Sequence, residues 1–459
     1  MAVMIRRFPL FLLVTAAVWA QGLIPPPDAA ARVDDVFARF RTISTPGCAV
    51  GASIDDKPVL TAAYGMADLE HDVPIRPDTI FEAGSVSKQF TAMAVLLLAQ
   101  QGKLSLEDNV RKYIPEIPDY GTPITIRHLL NHTSGLRDWG SLEAIAGWPR
   151  TTREYTLDHV LEILCRQKSL NYTPGAQYSY TNSGYNLAAI LVQRVSGTSL
   201  AEFTKRQIFQ PLSMTSTSWR DDFRRIVRNR AIAYQGRGDS TRQLMPFENA
   251  YGNGGLLTTV GDLLKWNANF ATQEVGGKEL VAQQQVPSKL NDGRAIAYAL
   301  GLLVQDYRGF REISHSGTTA GYNAWLGRYP ERRLSVALLC NSSAANGTQL
   351  GHLTADVFLG FSVPSGEARP GFFTAKAWQP TPEQLASVAG TYTNDEIETT
   401  LRVAVEDGKL VIHRRPADVI TLTPTGTDAF SASGMTFRFI GNELSIHESR
   451  VWDLRFQRR

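Results

Sequence analysis

The sequence predicts an α/β domain followed by a small all-β domain. Strand patterns lie near both ends of residues 30–363 and helical patterns lie between them, so we expect the two ends to meet in one shared sheet. The stretch 364–382 is rich in Pro and Gly, which is typical of a linker. Beyond it the hydrophobic period changes to two, which indicates half-buried strands over 383–459.

The larger domain is predicted to begin with a helix over residues 29–40 and a β-hairpin. Two apolar runs, 48–52 and 59–63, flank the turn Asp55-Asp56-Lys57-Pro58. A long helix ending near Gly102 follows, because apolar residues recur at i, i+3, i+4, i+7 and i+8. These residues are Phe90, Met93, Ala94, Leu97 and Leu98.

Further strands are predicted near the end of the larger domain, at 297–303, 324–329 and 334–340. In the smaller domain, Asp407-Gly408 and Gly441-Asn442 are predicted turns between strands of period two. The smaller domain holds no evident catalytic cluster. Packing, dimerisation and shaping of a cleft all remain open as its role.

Residues 1–20 are predicted to be an export signal and 21–29 a linker. Two arginines precede an apolar stretch that ends in Val18-Trp19-Ala20, which suits cleavage before Gln21. The alternative is a buried N-terminal helix, which Pro9 disfavours. We therefore expect a periplasmic or secreted protein.

Composition excludes several classes of partner. Lys and Arg number 47 against 44 Asp and Glu, and no basic block appears, so a nucleic-acid partner is not expected. No run of 18 apolar residues is present, so stable membrane insertion is not expected either. Cys48, Cys165 and Cys340 are too few for a disulfide scaffold. Buried free thiols are the default for Cys48 and Cys340, although an oxidising compartment would allow them to pair.

The motif Ser85-Val86-Ser87-Lys88 provides a candidate nucleophile and base. Ser85 opens the long helix, where free N–H groups and the helix dipole favour developing negative charge. Lys88 lies one turn later on the same face, and a lysine held by a buried helix face can accept the serine proton. Such pairs also arise by chance, in which case Ser85 is a helix cap and Lys88 a solvated side chain.

The pattern Tyr-x-Asn occurs twice. Tyr180-Thr181-Asn182 precedes an apolar helix, whereas Tyr251-Gly252-Asn253 sits in a glycine-rich turn that fixes no side chain well, so we favour the first. A phenol beside a lysine ammonium can have a lowered pKa and act as a base, and Asn182 offers an amide that orients a substrate. The alternative is a core tyrosine followed by a helix-capping asparagine.

His315-Ser316-Gly317 is predicted to form a strand edge that a substrate backbone can approach closely, because Ser316 is small and Gly317 has no side chain. The N–H groups of Thr318 and Ser85 would then form an oxyanion hole. His315 alone is more typical of a partly buried histidine.

His128 and His132 are four residues apart, as in a helical zinc site. No glutamate occupies the expected place and no third ligand is in view. We therefore favour structural packing, with a helix stop at Gly135.

The ordered set Ser85-x-x-Lys88, Tyr180-x-Asn182 and His315-x-Gly317 resembles the serine β-lactamase and penicillin-binding-protein superfamily. The nearest branch comprises class C β-lactamases, DD-peptidases, D-aminopeptidases and esterases. The resemblance covers about residues 30–360, and its supporting stretches are 124–136, 211–214 and 254–256. It implies an antiparallel sheet flanked by helices plus a helical subdomain. The β-rich tail resembles accessory domains of some relatives.

The resemblance also implies roles for the motif residues. Ser85 would be the acylated nucleophile, Lys88 and Tyr180 would share the acid and base work, and Asn182 would hold the substrate. His315, Ser316, Gly317 and Thr318 would line the substrate site. No metal or organic cofactor is implied.

One departure from the family pattern concerns His315. Class C lactamases and many DD-peptidases have Lys-Thr-Gly at this place, and that lysine helps to bind a substrate carboxylate, whereas a histidine is mostly neutral at pH 7. Losing one charge-assisted contact removes about 1.5–3 kcal/mol, or about 10- to 150-fold in affinity. We therefore expect that efficient β-lactam hydrolysis is not the main activity.

The resulting expectation is an exported serine hydrolase that acts on a small molecule or short peptide: a D-amino-acid peptide, an amide or a small ester. The alternatives are a β-lactamase or DD-carboxypeptidase proper, a penicillin-binding or sensor protein without turnover, and an inactive scaffold. The loops at about 137–170 and 218–250 carry no readable specificity code, and the oligomeric state is not indicated.

Overall fold

The computed structural model describes residues 23–362 and 378–459. The predicted export signal and most of the predicted linker 364–382 lie outside these residues.

A six-stranded antiparallel sheet forms the centre of the larger domain. Its strands are β1 (Cys48–Ile54), β2 (Lys57–Tyr64), β3 (Leu303–Tyr307), β4 (Phe310–Thr319), β5 (Tyr322–Tyr329) and β6 (Leu334–Cys340). The spatial order is β3-β4-β5-β6-β1-β2, so β1 pairs with β6. The prediction that the two ends of this domain meet in one sheet is confirmed.

Helices cover this sheet and form a subdomain beside it. They are α1 (Ala29–Val36), α2 (Lys88–Gln100), α3 (Ile126–Leu130), α4 (Trp139–Ile145), α5 (Leu157–Cys165), α6 (Ser183–Ser196), α7 (Leu200–Thr204), α8 (Val260–Thr272), α9 (Gly277–Gln284), α10 (Gly347–Leu359) and, after the gap, α11 (Pro382–Val388). Within the described ranges, no helix combines the length and apolarity needed to cross a bilayer.

The centre of the sheet is buried on both faces. Helices α1 and α10 pack on one face and α8 on the other. Every residue of β1 and β6 is buried, and the side chains alternate between two apolar clusters: Val50 joins the cluster beneath α1 and α10, whereas Ala49 joins the main core. Alternation of side chains along a strand explains this division.

The hairpin β1–β2 is confirmed, and its turn has a clear cause. Asp55 and Asp56 both have positive φ, 53° and 61°. Two consecutive residues of this kind form a primed turn, which matches the twist of the flanking strands.

Helix α2 runs through the core of the larger domain. Its residues from Lys88 to Leu98 are all buried, and it packs against α6, α7 and α9. A helix that is apolar on every side must be enclosed, so the lysine at its first position is buried with it. A 3₁₀ turn, Gly84–Ser87, precedes the helix and carries Ser85.

Two sequence predictions in the larger domain are wrong. The strand predicted at 297–303 begins only at Leu303, because Gly301 has a φ of 77° and a side chain there would lie 2.7 Å from the Lys88 carbonyl oxygen. Helix α3 ends at Leu130 rather than at Gly135, because His132 already has a left-handed φ of 62°.

The C-terminal domain is all-β apart from α11, as predicted. Its strands are β7 (Gly390–Asn394), β8 (Thr399–Glu406), β9 (Lys409–Arg415), β10 (Asp418–Thr421), β11 (Thr423–Gly426), β12 (Ala429–Ala432), β13 (Met435–Ile440), β14 (Glu443–Glu448) and β15 (Val451–Arg458). They form one sheet in the order β10-β9-β8-β7-β15-β14-β13-β12-β11. Leu401, Val403, Leu454 and Phe456 lie in its apolar core.

The C-terminal domain contacts two segments of the larger domain, one just before α4 and one just after α5. Arg137 and Glu396 form a buried ion pair with 2.9 Å between Nη1 and Oε2. The same carboxylate accepts the backbone N–H of Lys168 at 2.7 Å. The Asn171 amide donates to the Arg450 carbonyl at 3.0 Å and accepts the Trp452 N–H at 2.8 Å. Polar contacts of this kind, largely removed from water, favour one relative position of the domains.

Cys48 and Cys340 form a disulfide. They are directly opposite each other in the register of β1 and β6, and both are fully buried. The default expectation of free thiols is therefore wrong, and the alternative of a pair holds. Cys165 is free and half-buried.

Removing this disulfide should destabilise the protein without damaging its cleft. The cross-link spans 292 residues, and closing so long a loop restricts the unfolded chain. We expect Cys48→Ser/Cys340→Ser to lower the free energy of unfolding by about 2–4 kcal/mol, measured from denaturant midpoints. Cys165→Ser is the matched control and should leave the midpoint near that of the wild type. Three reactive thiols in the unreduced, denatured wild type, instead of one, would contradict the pairing.

Candidate active site

The amine of Lys88 is buried and held by three oxygen atoms. Its Nζ lies 3.1 Å from Ser85 Oγ, 3.0 Å from Asn182 Oδ1 and 2.6 Å from the Asn253 carbonyl oxygen. The lysine is 0% exposed. The first two motifs predicted from the sequence therefore meet at one nitrogen atom.

This environment accommodates both protonation states of Lys88. An ammonium group donates its three protons to the three oxygen atoms. A neutral amine donates two protons, to Asn182 and Asn253, and its lone pair accepts the Ser85 hydroxyl proton. Burial, followed by the repulsion of the Arg450 and Arg150 guanidinium groups, holds the pKa of Lys88 well below its ordinary value of 10.5. The geometry thus favours a lysine that accepts the serine proton.

Ser85 lies at the floor of the cleft, in the 3₁₀ turn before α2. The neighbouring Ser87 is buried, and its hydroxyl is bonded within the protein: it donates to the Gly84 carbonyl at 2.5 Å and accepts the Leu256 N–H at 3.1 Å. Of the two serines in the motif, Ser85 is the one that lines the cleft.

The Tyr180 ring stands beside the lysine, with its centroid 4.8 Å from Lys88 Nζ. Its hydroxyl oxygen is buried and has no hydrogen-bond partner among the described residues. Burial raises the pKa of Tyr180, and the nearby Ser85 hydroxyl opposes this only in part. The expected lowering of the phenol pKa is therefore wrong, because burial outweighs the opposing effects of the Ser85 hydroxyl and the Arg450 charge. A protonated phenol whose O–H makes no hydrogen bond to a described residue can act as a proton donor.

His132 packs behind Tyr180 and does not form a zinc pair with His128. The two rings are 4.2 Å apart, and His132 Nδ1 accepts the Thr181 N–H at 3.2 Å. Burial holds the pKa of His132 well below 6.5, so the ring is neutral. His128 Nδ1 accepts the Thr125 N–H at the start of α3. Structural roles were predicted for both residues, and these contacts agree with them.

Asn182 is positioned by a residue that the sequence did not single out. The Asp138 carboxylate accepts the Asn182 N–H at 2.6 Å with one oxygen, and the Ser141 N–H at 3.1 Å with the other. Asp138 also caps α4. The Asn182 side chain makes no capping bond to α6, so the alternative of a helix cap does not hold.

The second Tyr-x-Asn motif contributes a backbone atom only. The Asn253 carbonyl accepts from Lys88, while its amide oxygen accepts from Asn186 at 2.8 Å. Tyr251 packs against Trp219. The preference for Tyr180 is consistent with this geometry. The role of Asn253 was missed because a backbone carbonyl leaves no signal in a sequence.

His315 lies on β4 where that strand is a free edge. The neighbouring β3 begins at Leu303, opposite Ser314, so residues 315–319 pair only with β5. The His315 ring is buried, and its Nε2 forms a hydrogen bond with the Tyr298 hydroxyl at 2.9 Å. Burial lowers the pKa of His315 to about 3, so this histidine is neutral at physiological pH.

Gly317 allows close contact between β4 and the turn that carries Ser85. A Cβ atom there would lie 2.0 Å from the Ala83 carbonyl oxygen, and one at Gly84 would lie 2.7 Å from the Thr318 nitrogen. The approach of a substrate backbone to this strand edge stays a prediction. The close contact of these two backbones brings the Thr318 nitrogen next to the Ser85 turn, where the predicted oxyanion hole would be.

One cleft of about 350 Å³ is lined by residues of all three predicted motifs, including Ser85, Asn182 and His315. Two arginines that the sequence did not single out also line it: Arg150 from the loop after α4, and Arg450 from the turn between β14 and β15. The full lining is Ser85, Arg150, Tyr178, Tyr180, Asn182, Tyr298, Leu303, His315, Ser316, Thr318 and Arg450.

Substituting Gly317 should displace the nucleophile turn. In Gly317→Ala the added methyl overlaps the Ala83 carbonyl oxygen, and such overpacking costs about 1–3 kcal/mol. We expect a lower unfolding midpoint together with slower acylation of Ser85 by a p-nitrophenyl ester. Gly261→Ala is the control, because its nearest neighbour would be 3.8 Å away. Wild-type stability in Gly317→Ala would refute this packing.

Comparison with known proteins agrees with this geometry. The profile of the family described as Beta-lactamase matches residues 33–358. Penicillin-binding protein 4* of Bacillus subtilis (strain 168) is 30% identical over 294 residues, which are 61% of this chain and 64% of that protein. The D-aminopeptidase of Brucella canis is 28% identical over 333 residues, 72% of this chain and 63% of that protein. The chain therefore spans less than two thirds of the length of these two relatives.

A solved structure shares the fold. The octameric penicillin-binding protein homologue from Pyrococcus abyssi superposes with a TM-score of 0.62 at 24% identity, covering 94% of this chain and 99% of that one. The family profile extends over more than half of the chain and includes the Ser85, Tyr180 and His315 motifs. The resemblance predicted from the sequence is confirmed, and the chain belongs to the Beta-lactamase family.

Proposed function

We propose that this protein is an exported serine hydrolase that forms an acyl-enzyme on Ser85. The observation that supports this most directly is the 3.1 Å contact between Ser85 Oγ and Lys88 Nζ, in which the amine is buried and its other two partners are fixed. A serine becomes a nucleophile when an adjacent base takes its proton.

Acylation follows from these positions. The Ser85 oxygen bonds to the substrate carbonyl carbon while its proton passes to the neutral Lys88 amine. The carbonyl oxygen becomes negatively charged near the N–H groups of Ser85 and Thr318. The bond to the leaving nitrogen or oxygen then breaks, and that atom takes a proton from the Tyr180 hydroxyl, whose raised pKa keeps it protonated. Lys88 returns a proton to Tyr180, and water then hydrolyses the ester on Ser85.

The substrate is proposed to be a D-amino-acid peptide, an amide or a small ester. The similar proteins include one named a D-aminopeptidase and one named a penicillin-binding protein. The neutral His315 leaves β4 without a cation at the place where class C lactamases have a lysine. We therefore propose that β-lactams are not the main substrates, and that a substrate carboxylate would have to be bound by another group of the cleft.

Export is supported by two separate observations. The sequence pattern of residues 1–20 is typical of a signal peptide. The disulfide between Cys48 and Cys340 is of a kind that forms and persists in oxidising compartments.

Acylation is tested by the mass of the intact protein after brief exposure to a p-nitrophenyl ester or a penicillin. We expect one added acyl group on the wild type and none on Ser85→Ala, because the nucleophile is missing. Ser87→Ala is the matched control and should still be labelled, since the Ser87 hydroxyl is bonded away from the cleft. A mass increase that persists in Ser85→Ala would move the nucleophile elsewhere.

Turnover is tested with four substrates: a p-nitrophenyl butyrate, a D-alanine anilide, a D-Ala-D-Ala peptide and nitrocefin. We expect turnover of at least one of the first three, and nitrocefin hydrolysis well below that of a dedicated lactamase. Stable acylation with no turnover of any substrate would instead indicate a penicillin-binding or sensor protein.

The pH dependence of acylation should report Lys88. Only the neutral amine accepts the serine proton, so the acylation rate rises as pH increases through the Lys88 pKa. Because burial lowers that pKa, we expect the inflection well below 10.5, measured by rapid-mixing kinetics with p-nitrophenyl butyrate. Lys88→Arg should lose about 10²- to 10⁴-fold in rate, since a guanidinium stays protonated. An unchanged inflection in that variant would assign the base to another group.

A further inference from the structure

The C-terminal domain places one arginine in the cleft. Arg450 lies in the turn between β14 and β15, and its guanidinium carbon is 5.0 Å from the centroid of the Tyr180 ring. Its side chain lines the same cleft as Ser85. The tail domain therefore contributes to the wall of the candidate active site.

The backbone of Arg450 is fixed from three sides. Its carbonyl accepts the Asn171 amide at 3.0 Å and the Asp138 N–H at 3.2 Å. Its own N–H donates to the Glu448 carboxylate at 2.9 Å. A side chain that starts from a fixed backbone loses less entropy when it binds a ligand.

The guanidinium of Arg450 has no internal anionic partner within residues 23–362 and 378–459. It makes neither an ion pair nor a hydrogen bond there, and it lies over the face of the Tyr180 ring. Arg150, the other arginine of the cleft, is already bonded to Glu248 with 2.9 Å between Nε and Oε2. Described carboxylates do not line the cleft. Cations in clefts without a counter-ion favour anionic ligands.

The other basic groups of the site do not fill this role. His315 is neutral and bonded to Tyr298, and Lys88 already has three oxygen partners. An anionic substrate group would therefore meet Arg450 first. Guanidinium binds carboxylate in a planar, two-point geometry that other cations do not match.

We propose that Arg450 binds a carboxylate of the substrate, so that the preferred substrate has a free carboxylate close to its scissile bond. This inference rests on the proposed function and adds its substrate class. The charge sits beside Tyr180 instead of on β4, so the substrate carboxylate is bound by the C-terminal domain. Arg450 is thus a specificity-determining residue.

The test compares two substrates that differ only in this charge: an acetylated D-Ala-D-Ala peptide with a free C-terminus, and the same peptide with a C-terminal amide. At a pH above the Lys88 inflection, where the amine is neutral in both proteins, we expect Arg450→Gln to reduce kcat/KM for the free acid by about 10- to 150-fold and for the amide by less than about threefold. Arg450→Lys should recover part of the loss on the acid. Arg455→Gln, on the neighbouring strand and half exposed, is the matched control and should match the wild type on both.

Equal losses on the two peptides would overturn the proposal, because they would show that Arg450 acts on Tyr180 and Lys88 rather than on substrate. The pH inflection for ester acylation should shift upwards in Arg450→Gln under either outcome, since a repelling charge near Lys88 is gone, and the two peptides are therefore compared above that inflection. Wild-type activity of Arg450→Gln on the free acid would overturn it as well.

A second readout applies when neither peptide is cleaved. N-acetyl-D-alanine and its amide are then compared as competitors of Ser85 acylation by p-nitrophenyl butyrate. We expect the acid to compete at least tenfold better than the amide in the wild type, and equally with it in Arg450→Gln. Equal competition in the wild type overturns the carboxylate proposal, whereas failure of the ester to acylate Ser85 overturns the proposed function itself.

Discussion

The burial of the Lys88 amine is the constraint on which the rest of the structure depends. A buried amine needs a polar partner for each proton it carries, and this one has three, drawn from the nucleophile turn, the start of α6 and the loop before the short strand Leu256–Thr258. Helix α2 therefore cannot occupy the core unless these three segments converge on its first turn. Enclosing the helix lowers the affinity of the amine for its proton, and convergence of its partners assembles the cleft. Stability and chemistry depend here on the same nitrogen atom.

A chain of hydrogen bonds extends this arrangement to the C-terminal domain. The Arg450 carbonyl accepts from Asp138, Asp138 accepts from Asn182, and Asn182 accepts from Lys88. The buried pair of Arg137 and Glu396 lies next to this chain in sequence. The contacts that dock the β domain and those that hold the Lys88 amine therefore belong to one connected set of hydrogen bonds. Among the roles left open by the sequence, the structure supports both packing against the larger domain and shaping of the cleft.

The sequence was informative where a side chain carries the signal and uninformative where the backbone does. Periodicity predicted α2, the β1–β2 hairpin and the strands of the tail, because each buries apolar residues at a regular spacing. The strand predicted near Tyr298 is absent because the chain turns at Gly301, where it packs against the Lys88 backbone. That contact is made only in the folded protein, so the local sequence pattern does not indicate it. The carbonyl of Asn253 and the side chain of Arg450 were missed for a related reason: neither belongs to a local motif. The lowered phenol pKa was inferred from one neighbouring charge, whereas burial dominates.

The contact between the strand at Gly317 and the turn at Gly84 limits how this cleft can diversify. Both glycines are enclosed by backbone atoms, so a mutant library that varies them would consist mainly of misassembled proteins. Tyr178, Leu303, Ser316 and Arg450 line the same cavity with side chains that are at least partly accessible. Natural drift and laboratory evolution would therefore alter selectivity through these four positions, while Gly84 and Gly317 would stay unchanged.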